Sequence, residues 1–404
     1  MINNYWMSPE TTSVNRLPML NIEHFEQISL DGTWRFQLLH TPTEKIGKRW
    51  ASIPVPGLWT MQEPSEVFFD KPIYTNTQMP FEEHPPFVPA ENPTGVYERD
   101  FEIPKSWNGK RIVLQVGGYE SVALVYINGE EVGLSKDSRI AAEFDVTQFV
   151  HSGNNVLRID VTKWSDATFI EDQDQWWHGG ITRSIKLYAT NKVFIERFKA
   201  TAGLEKDGST GTLNIEADLG SLDNLSTDGY TLRASITELP KVKSANLSKT
   251  VKNFTSPKWT ERDADLKKRS DDYFHGKYWH GNLPADAKAA IMENEPWPHG
   301  KVLLETRISK VNPWSAELPN LYTLHIELID PQGVVIEVSQ QRIGFRSIEI
   351  KGQDFLVNGQ PIIFYGINRH DFNRFTGRAL TRDDMRQDLL ELKRWNFNAV
   401  RTSH

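Results

Sequence analysis

The stretch that decides the fold is the last, Phe355 to His404: FLVNGQPIIFYGINRHDFNRFTGRALTRDDMRQDLLELKRWNFNAVRTSH. Ile362 to Gly366 (IIFYG) is an almost unbroken apolar run, the pattern of a strand covered on both faces. Thr381 with Asp384 three positions on is a capping box with Asp in place of Glu, so a helix is predicted to start there. Met385, Leu389, Leu392 and Trp395 fall on one face of that helix. Lys393 and Arg394 suit its C-terminal dipole. Phe397 to Val400 (FNAV) then opens a second strand. Strand, helix, strand is one unit of a parallel sheet or of a (β/α)8 barrel, where functional residues lie at the C-terminal ends of the strands. His370 and His404 occupy those two ends. One such unit cannot cover both faces of its strands. Phe355–His404 is therefore expected to fray, and the chain to be the front of a longer, truncated one.

Upstream, the periodicity changes from helical to alternating. Residues 1–27 are punctuated by Pro and Asn and read as an extended arm. Short alternating segments follow at Ile28–Leu39, Val96–Ile103, Arg111–Val116, Val122–Ile127, Phe144–Val150, Val156–Val161 and Ser184–Leu187. Asn128-Gly129 between two of them is a hairpin signal. Many short strands with turn residues between them predict an all-β jelly-roll sandwich over about 28–190. Two long stretches inside it are not strand-like, Phe68–Thr94 and Trp164–Ile181, and loops of this length on a rigid sandwich carry binding residues. A second β-rich region, 191–351, is expected to be an immunoglobulin-like sandwich, with strands near Leu213–Ala217, Thr231–Ile236, Val302–Ile308, Tyr322–Leu328 and Val334–Val338. Its polar, lysine-rich middle, about 240–300, reads as an insertion. Residues 352–404 then begin the TIM barrel.

Composition excludes several functions. The 404 residues are 38% hydrophobic and 25% charged with a net charge of −7, which argues against nucleic acid and anionic membranes as partners. There are no cysteines, which removes disulfides, thiolate catalysis and Cys-ligated zinc. No basic and apolar leader opens the chain and no apolar run is long enough to span a bilayer, so a cytoplasmic protein is expected. The Asn-x-Ser/Thr triplets at Asn224, Asn246 and Asn253 are then chance matches. No HExxH, EF-hand, P-loop or GxSxG pattern is present. Thirteen tryptophans is a high count; most are expected in the core, and the remainder offer a flat apolar surface on which a pyranose C–H face can stack.

The segments GLWTMQ, PIYTN, PPFVPAENPTGVYERDF, KDSRIAAEFDVT, WSDATFIEDQDQWWHGGI, NPWSAELPNLYTL, RIGFR, GINRHD and NFNAVRTSH stand in this order. Together they resemble the bacterial β-galactosidases of glycoside hydrolase family two, over nearly the whole chain except the 240–300 insertion. IYTN and the EDQD run followed by aromatics are the more specific features. The resemblance implies a jelly roll, an immunoglobulin-like domain and a (β/α)8 barrel, and retaining hydrolysis of terminal β-galactosides such as lactose. It implies that Asn76, Asp174, His370 and His404 contact the sugar, that Asp174 also ligates a monovalent cation of the Na+ or K+ type, and that Arg401 supports the pocket. It implies Mg2+ in the full-length enzyme with ligands mostly beyond residue 404, and a homo-oligomer at full length.

A retaining glycosidase needs two carboxyl groups about 5 Å apart. In the family both are glutamates on later barrel strands, so no catalytic residue is expected within this chain, and the 1–404 polypeptide is expected to be inactive alone. Glu143 and Glu171 belong to the sandwich and are rejected as candidates. His178 is left open between structure and function. Asp174 is read as a loop carboxylate beside an exposed pair, Trp176 and Trp177. One departure from the family stands at the N-terminus. Some relatives hold a magnesium ion there with an Asp and an Asn flanking Trp-Glu, whereas this chain has Tyr5-Trp6-Met7-Ser8-Pro9, which puts that site in doubt. Two other readings remain: a non-catalytic carbohydrate-binding or scaffold protein, and one subunit of a split β-galactosidase.

Overall fold

A computed structural model describes residues 4–19, 22–222, 225–238, 245–250 and 300–403. The chain divides into two compact units, one of residues 1–19, 24–190 and 362–404, the other of residues 20–23 and 191–361.

The first unit is built on two antiparallel sheets. The larger has seven strands in the order Ser13–Val14, Glu130–Ser135, Val122–Ile127, Gly153–Thr162, Thr94–Ile103, Gly32–Leu39 and Ala51–Val55. The smaller has four, Ala142–Asp145, Arg111–Val116, Ile185–Thr190 and Gln27–Ser29. The alternation read from the sequence faces inward as one core containing Trp34, Phe36, Tyr97, Leu114, Phe144 and Leu157. Burying each such side chain stabilises by roughly 1.5–3 kcal/mol. Asn128 and Gly129 both take positive φ (52° and 84°), as the predicted hairpin turn requires. Asp31-Gly32 makes no hairpin: the strands on either side of it lie in different sheets. The arm is not wholly extended. It forms a 3-10 turn at Tyr5–Met7 and then adds a short strand to the edge of the larger sheet.

The second unit packs a three-stranded sheet (Val193–Leu204, Gly211–Ser221, Gly300–Ile308) on a four-stranded one (Ala245–Thr250, Thr231–Glu238, Tyr322–Ile329, Val335–Ile343). Leu213, Ile215, Leu232, Leu324, Ile326 and Phe345 fill the space between them. The strand Ala245–Thr250 corrects the insertion boundary, because it pairs with Thr231–Ile236 as an ordinary hairpin partner. Residues 240–244 and 251–299 of the expected insertion lie outside the described residues.

The strand–helix–strand unit is present with its register shifted. The first strand is Gly366–Arg369 rather than Ile362–Gly366, and it pairs in parallel with Ala399–Thr402. Ile363, Phe364 and Tyr365 are exposed and lie before the strand. The apolar run has the composition of a doubly covered strand, but these three side chains each keep more than half of their surface exposed. The helix runs Arg382–Arg394 and its capping box forms as predicted, Asp384 N–H donating to Thr381 Oγ1 and Thr381 N–H to Asp384 Oδ2. Its apolar face is open, with Leu389 and Trp395 exposed. Among the described residues no helix is long and apolar enough to cross a membrane.

Candidate functional site

The two stretches that lack strand character alone form strands with each other. Ile73–Thr75 pairs antiparallel with Gln175–Trp177 in the register Thr75↔Gln175, Tyr74↔Trp176, Ile73↔Trp177. Strand residues alternate between faces, so this ribbon has two chemically distinct sides. Thr75, Gln175 and Trp177 face inward. Trp177 is only 6% exposed, packs beside Trp6, Val88 and Trp164, and donates its indole N–H to Thr75 Oγ1 at 2.7 Å. Tyr74, Asn76, Asp174 and Trp176 face outward, all exposed. The expected Trp-Trp surface pair is therefore split by strand alternation, with Trp176 outside and Trp177 in the core.

The register carries Asn76 and Asp174 to the same end of the ribbon. The Tyr74 hydroxyl donates to Asp174 Oδ1 at 2.6 Å, and that bond to a carboxylate raises the Tyr74 pKa. The Trp176 ring lies 5.5 Å from Tyr74 and 6.5 Å from Phe372, nearly parallel to the latter. Behind Asp174 the turn is clamped: Ser138 N–H donates to Glu171 Oε1 and Arg139 to Gln173 Oε1. Glu171 is thus a buttress, its pKa raised by burial. Glu143 accepts from Gln115 and the Tyr188 hydroxyl on the sheet.

Phe372 belongs to the barrel segment, two residues after His370. The loop that follows the first barrel strand is plugged into the sandwich by Gly377 and Arg378. Arg378 is buried, donates to the Trp176 carbonyl at 3.3 Å and lies 3.3 Å from Glu120. Arg139 approaches the same carboxylate at 3.4 Å. Both are close ion pairs without hydrogen-bond alignment, since neither Nε finds an acceptor. Glu120 is 3% exposed. Burial alone would raise its pKa, but Arg378 and Arg139 outweigh that and hold it below the usual carboxylate range. Glu120 Oε2 accepts from the His178 N–H at 3.3 Å. His178 itself is 1% exposed, with Nδ1 3.0 Å from Thr60 Oγ1. Burial lowers its pKa to about 4, which favours the neutral imidazole in the folded chain.

His370 is half-buried between Arg369 and Asp371, which pair with each other. Asp371 also meets Arg183 of the sandwich at 3.3 Å. Arg401 stands on the neighbouring strand opposite Asn368 and donates to Asn368 Oδ1 and Ser403 Oγ. His404 lies outside the described residues. Asn76 and Asp174 thus share one ribbon face, and the loop after His370 packs against that ribbon through Phe372 and Arg378. Sequence reasoning missed Tyr74, Phe372, Arg378 and Glu120. For Tyr74 a signal existed, its i, i+2 spacing from Asn76. The others meet the ribbon only through the fold.

A jelly roll, a second sandwich and the opening unit of a parallel barrel make a three-part architecture. Family models agree segment by segment: the sugar binding domain of glycosyl hydrolases family 2 over residues 27–191, a further domain of that family over 193–346, and its TIM barrel domain over 348–404. The chain belongs to glycosyl hydrolases family 2. It is 33% identical over 389 residues to a protein of Psychromonas ingrahamii named beta-galactosidase, matching 94% of this chain and 33% of that one. It is 32% identical over 413 residues to one of Kluyveromyces lactis with the same name, matching 98% of this chain and 37% of that one. The chain therefore spans about a third of the length of these curated relatives. Among solved structures, a Bacteroides uniformis beta-glucuronidase aligns with a TM-score of 0.67 at 20% identity, over 94% of this chain and 39% of that one. A putative beta-galactosidase of Bacteroides fragilis aligns at 0.65 and 18%, over 94% and 50%. At these identities the structural likeness speaks for the fold.

Proposed function

We propose that this chain is the sugar-recognising front part of a cytoplasmic retaining β-galactosidase, and that it takes terminal β-galactosides such as lactose. The observation that carries the reading is the outward face of the Ile73–Thr75/Gln175–Trp177 ribbon. It sets an amide and a carboxylate beside two exposed aromatic rings, the combination that recognises a pyranose. Hydroxyls donate to Asp174 and bond with Asn76, and apolar C–H faces stack on the rings. One step of two residues along a strand is about 7 Å, roughly the advance from one sugar ring to the next. The galactosyl ring sits at Asn76 and Asp174, with His370 and Arg401 on the barrel side; the sugar contact that the resemblance implies for His404 belongs to the same proposal. The second ring of a disaccharide rests on the ledge of Tyr74, Trp176 and Phe372.

A Na+- or K+-type ion at Asp174 belongs to the same proposal. Tyr74 occupies Oδ1, while Oδ2 accepts no hydrogen bond among the described residues and suits a hard cation. Asp174 supplies one ligand of such a site, and no group of three or more His, Cys, Asp or Glu that could hold a metal occurs among the described residues. The 1–404 chain binds sugar without hydrolysing it. Glu120, Glu143 and Glu171 are each tied to neighbouring donors, and none is free to act as acid or nucleophile.

Saturation-transfer NMR titrations of the 1–404 protein with methyl β-D-galactopyranoside and with lactose test both parts. Asp174→Asn should weaken both ligands. Trp176→Leu should weaken lactose roughly two- to ten-fold and leave the methyl glycoside unchanged. No saturable binding of either sugar, or clear turnover of a chromogenic β-galactoside by 1–404, overturns the reading. Equal loss of both ligands in Trp176→Leu removes the ledge alone.

A further inference from the structure

Lys136 is a buried cation that neither the sugar site nor the barrel loop uses. It follows the strand Glu130–Ser135, and its side chain is 4% exposed. Its ammonium donates to the Tyr5 carbonyl at 3.0 Å, the Ser8 carbonyl at 2.7 Å and Asp166 Oδ1 at 2.7 Å. An ammonium has three donors, and each finds one oxygen here. The three oxygens come from two segments distant in sequence. Tyr5 opens the 3-10 turn of the arm and Ser8 follows it, and Trp6 within the turn is packed with Trp164 and Trp177. Asp166 opens the 3-10 turn Asp166–Phe169, in the same stretch that later supplies Asp174. The ammonium therefore fastens the arm, the sheet edge and the root of the sugar-facing stretch at one point.

Two main-chain carbonyls and a carboxylate are hard oxygen donors of the kind that bind Mg2+. This is the segment where the family resemblance leads one to look for a magnesium ion. The residues do not fit one. The oxygens are already directed at a fixed positive charge, and a second cation among them would face that charge at contact distance in a site closed to solvent. We propose that Lys136 acts as a tethered cation in the oxygen cage of Tyr5, Ser8 and Asp166, fastening the arm without a metal ion. The attachment is then independent of metal supply and of chelators, because the cation is part of the chain.

Hydrogen–deuterium exchange of the N-terminal peptide tests this. That peptide includes the hydrogen-bonded amides of Met7, Thr11 and Leu17. In the unaltered 1–404 protein its protection should be the same in excess Mg2+ and in excess EDTA. Lys136→Met should speed exchange there at least about ten-fold in both conditions. A peptide spanning Gly211–Ser221 in the other unit serves as a control for global unfolding. Lys136→Gln removes the charge and, unlike Met, adds a side-chain amide oxygen to the three oxygens of the cage, so Mg2+ should restore protection in that variant and EDTA should remove it. Protection in the unaltered protein that follows Mg2+ overturns the proposal. So does a Lys136→Met arm as protected as the original, or a Lys136→Gln arm indifferent to Mg2+.

Discussion

Lowering the pH should loosen the first unit through His178, and the structure sets the size of the effect. The ring is buried, with Nδ1 on Thr60 and Nε2 without a hydrogen-bond partner. Glu120 and Asp70 favour its charged form, Arg378 and Lys163 oppose it, and burial dominates, taking the pKa from 6.5 to about 4. A histidine whose folded pKa lies below its unfolded value contributes stability that is whole above about pH 6.5. That stability is lost as the pH falls toward 4, because the unfolded chain binds the proton first. A gap of about 2.5 pH units at about 1.4 kcal/mol each gives on the order of 3 kcal/mol. Between pH 6.5 and 5 the loss should be about 2 kcal/mol. His178→Gln keeps a polar group toward Thr60 but does not titrate. Carboxylates such as Glu171 and Asp160, whose pKa values burial raises, titrate in both proteins and cancel in the comparison. Urea unfolding followed by indole fluorescence, which reports on Trp34 and Trp59 in this unit, should show the original protein losing about 2 kcal/mol more than His178→Gln over that interval. A ring-carbon NMR titration should show His178 uncharged down to about pH 5. Parallel pH profiles for the two proteins, or a ring that titrates near 6.5, would refute the argument.

Glu120→Gln removes the carboxylate between Arg378 and Arg139 and leaves two guanidinium groups without their counter-charge. Breaking a buried pair in this way costs about 3–5 kcal/mol. The double variant Glu120→Leu with Arg378→Met should recover a large part of that loss in the same urea assay, and additive losses would show that the two residues are not coupled. Gly377→Ala should destabilise by about 1–3 kcal/mol. Its φ is +60°, and an added Cβ would stand 2.8 Å from Leu58 Cδ1 and 2.9 Å from His178 Cε1. A melting temperature equal to that of the original would mean the loop is not packed as described.

Much of the architecture was legible because it depends on local periodicity. The strands Arg111–Val116 and Val122–Ile127, the Asn128-Gly129 turn and the Thr381–Asp384 cap are decided by neighbours in sequence and all appear as read, although both strands are buried along nearly their whole length rather than on alternate residues. The failures have a common cause. Ile362–Gly366 carries the composition of a buried strand, yet the ladder starts at Gly366, because pairing register depends on the partner strand rather than on apolarity. Phe68–Thr94 and Trp164–Ile181 each look like loops, and only their mutual hydrogen bonds make a ribbon. Once the ribbon exists, alternation sorts Trp176 from Trp177, a distinction invisible in the dipeptide. Lys136 and Glu120 read as ordinary charges. Their roles arise from oxygens and guanidinium groups far away in the chain.

The barrel segment shows how those long-range contacts alter an expectation drawn from the segment alone. A single parallel strand pair with one helix buries too little to hold itself together, and the exposure of Phe364, Leu389 and Trp395 agrees with that. Its attachment comes instead from the loop between strand and helix. Arg378 reaches Glu120 and the Trp176 carbonyl, Gly377 lies against Leu58 and His178, Phe372 stacks on Trp176, and Asp371 meets Arg183. Each of these contacts is made by the loop and none by the apolar faces of the strands or helix. The sandwich therefore positions the loop that follows His370 independently of whatever covers those faces. Asp174 and His370 come from domains separated by the entire second unit in sequence, yet they are held by neighbouring anchors, Trp176 for one and Phe372 for the other. The sugar site proposed above, drawn from both domains, needs that coupling, since a displacement of the loop would move Phe372 away from Trp176 and disturb the turn that carries Asp174 together with it.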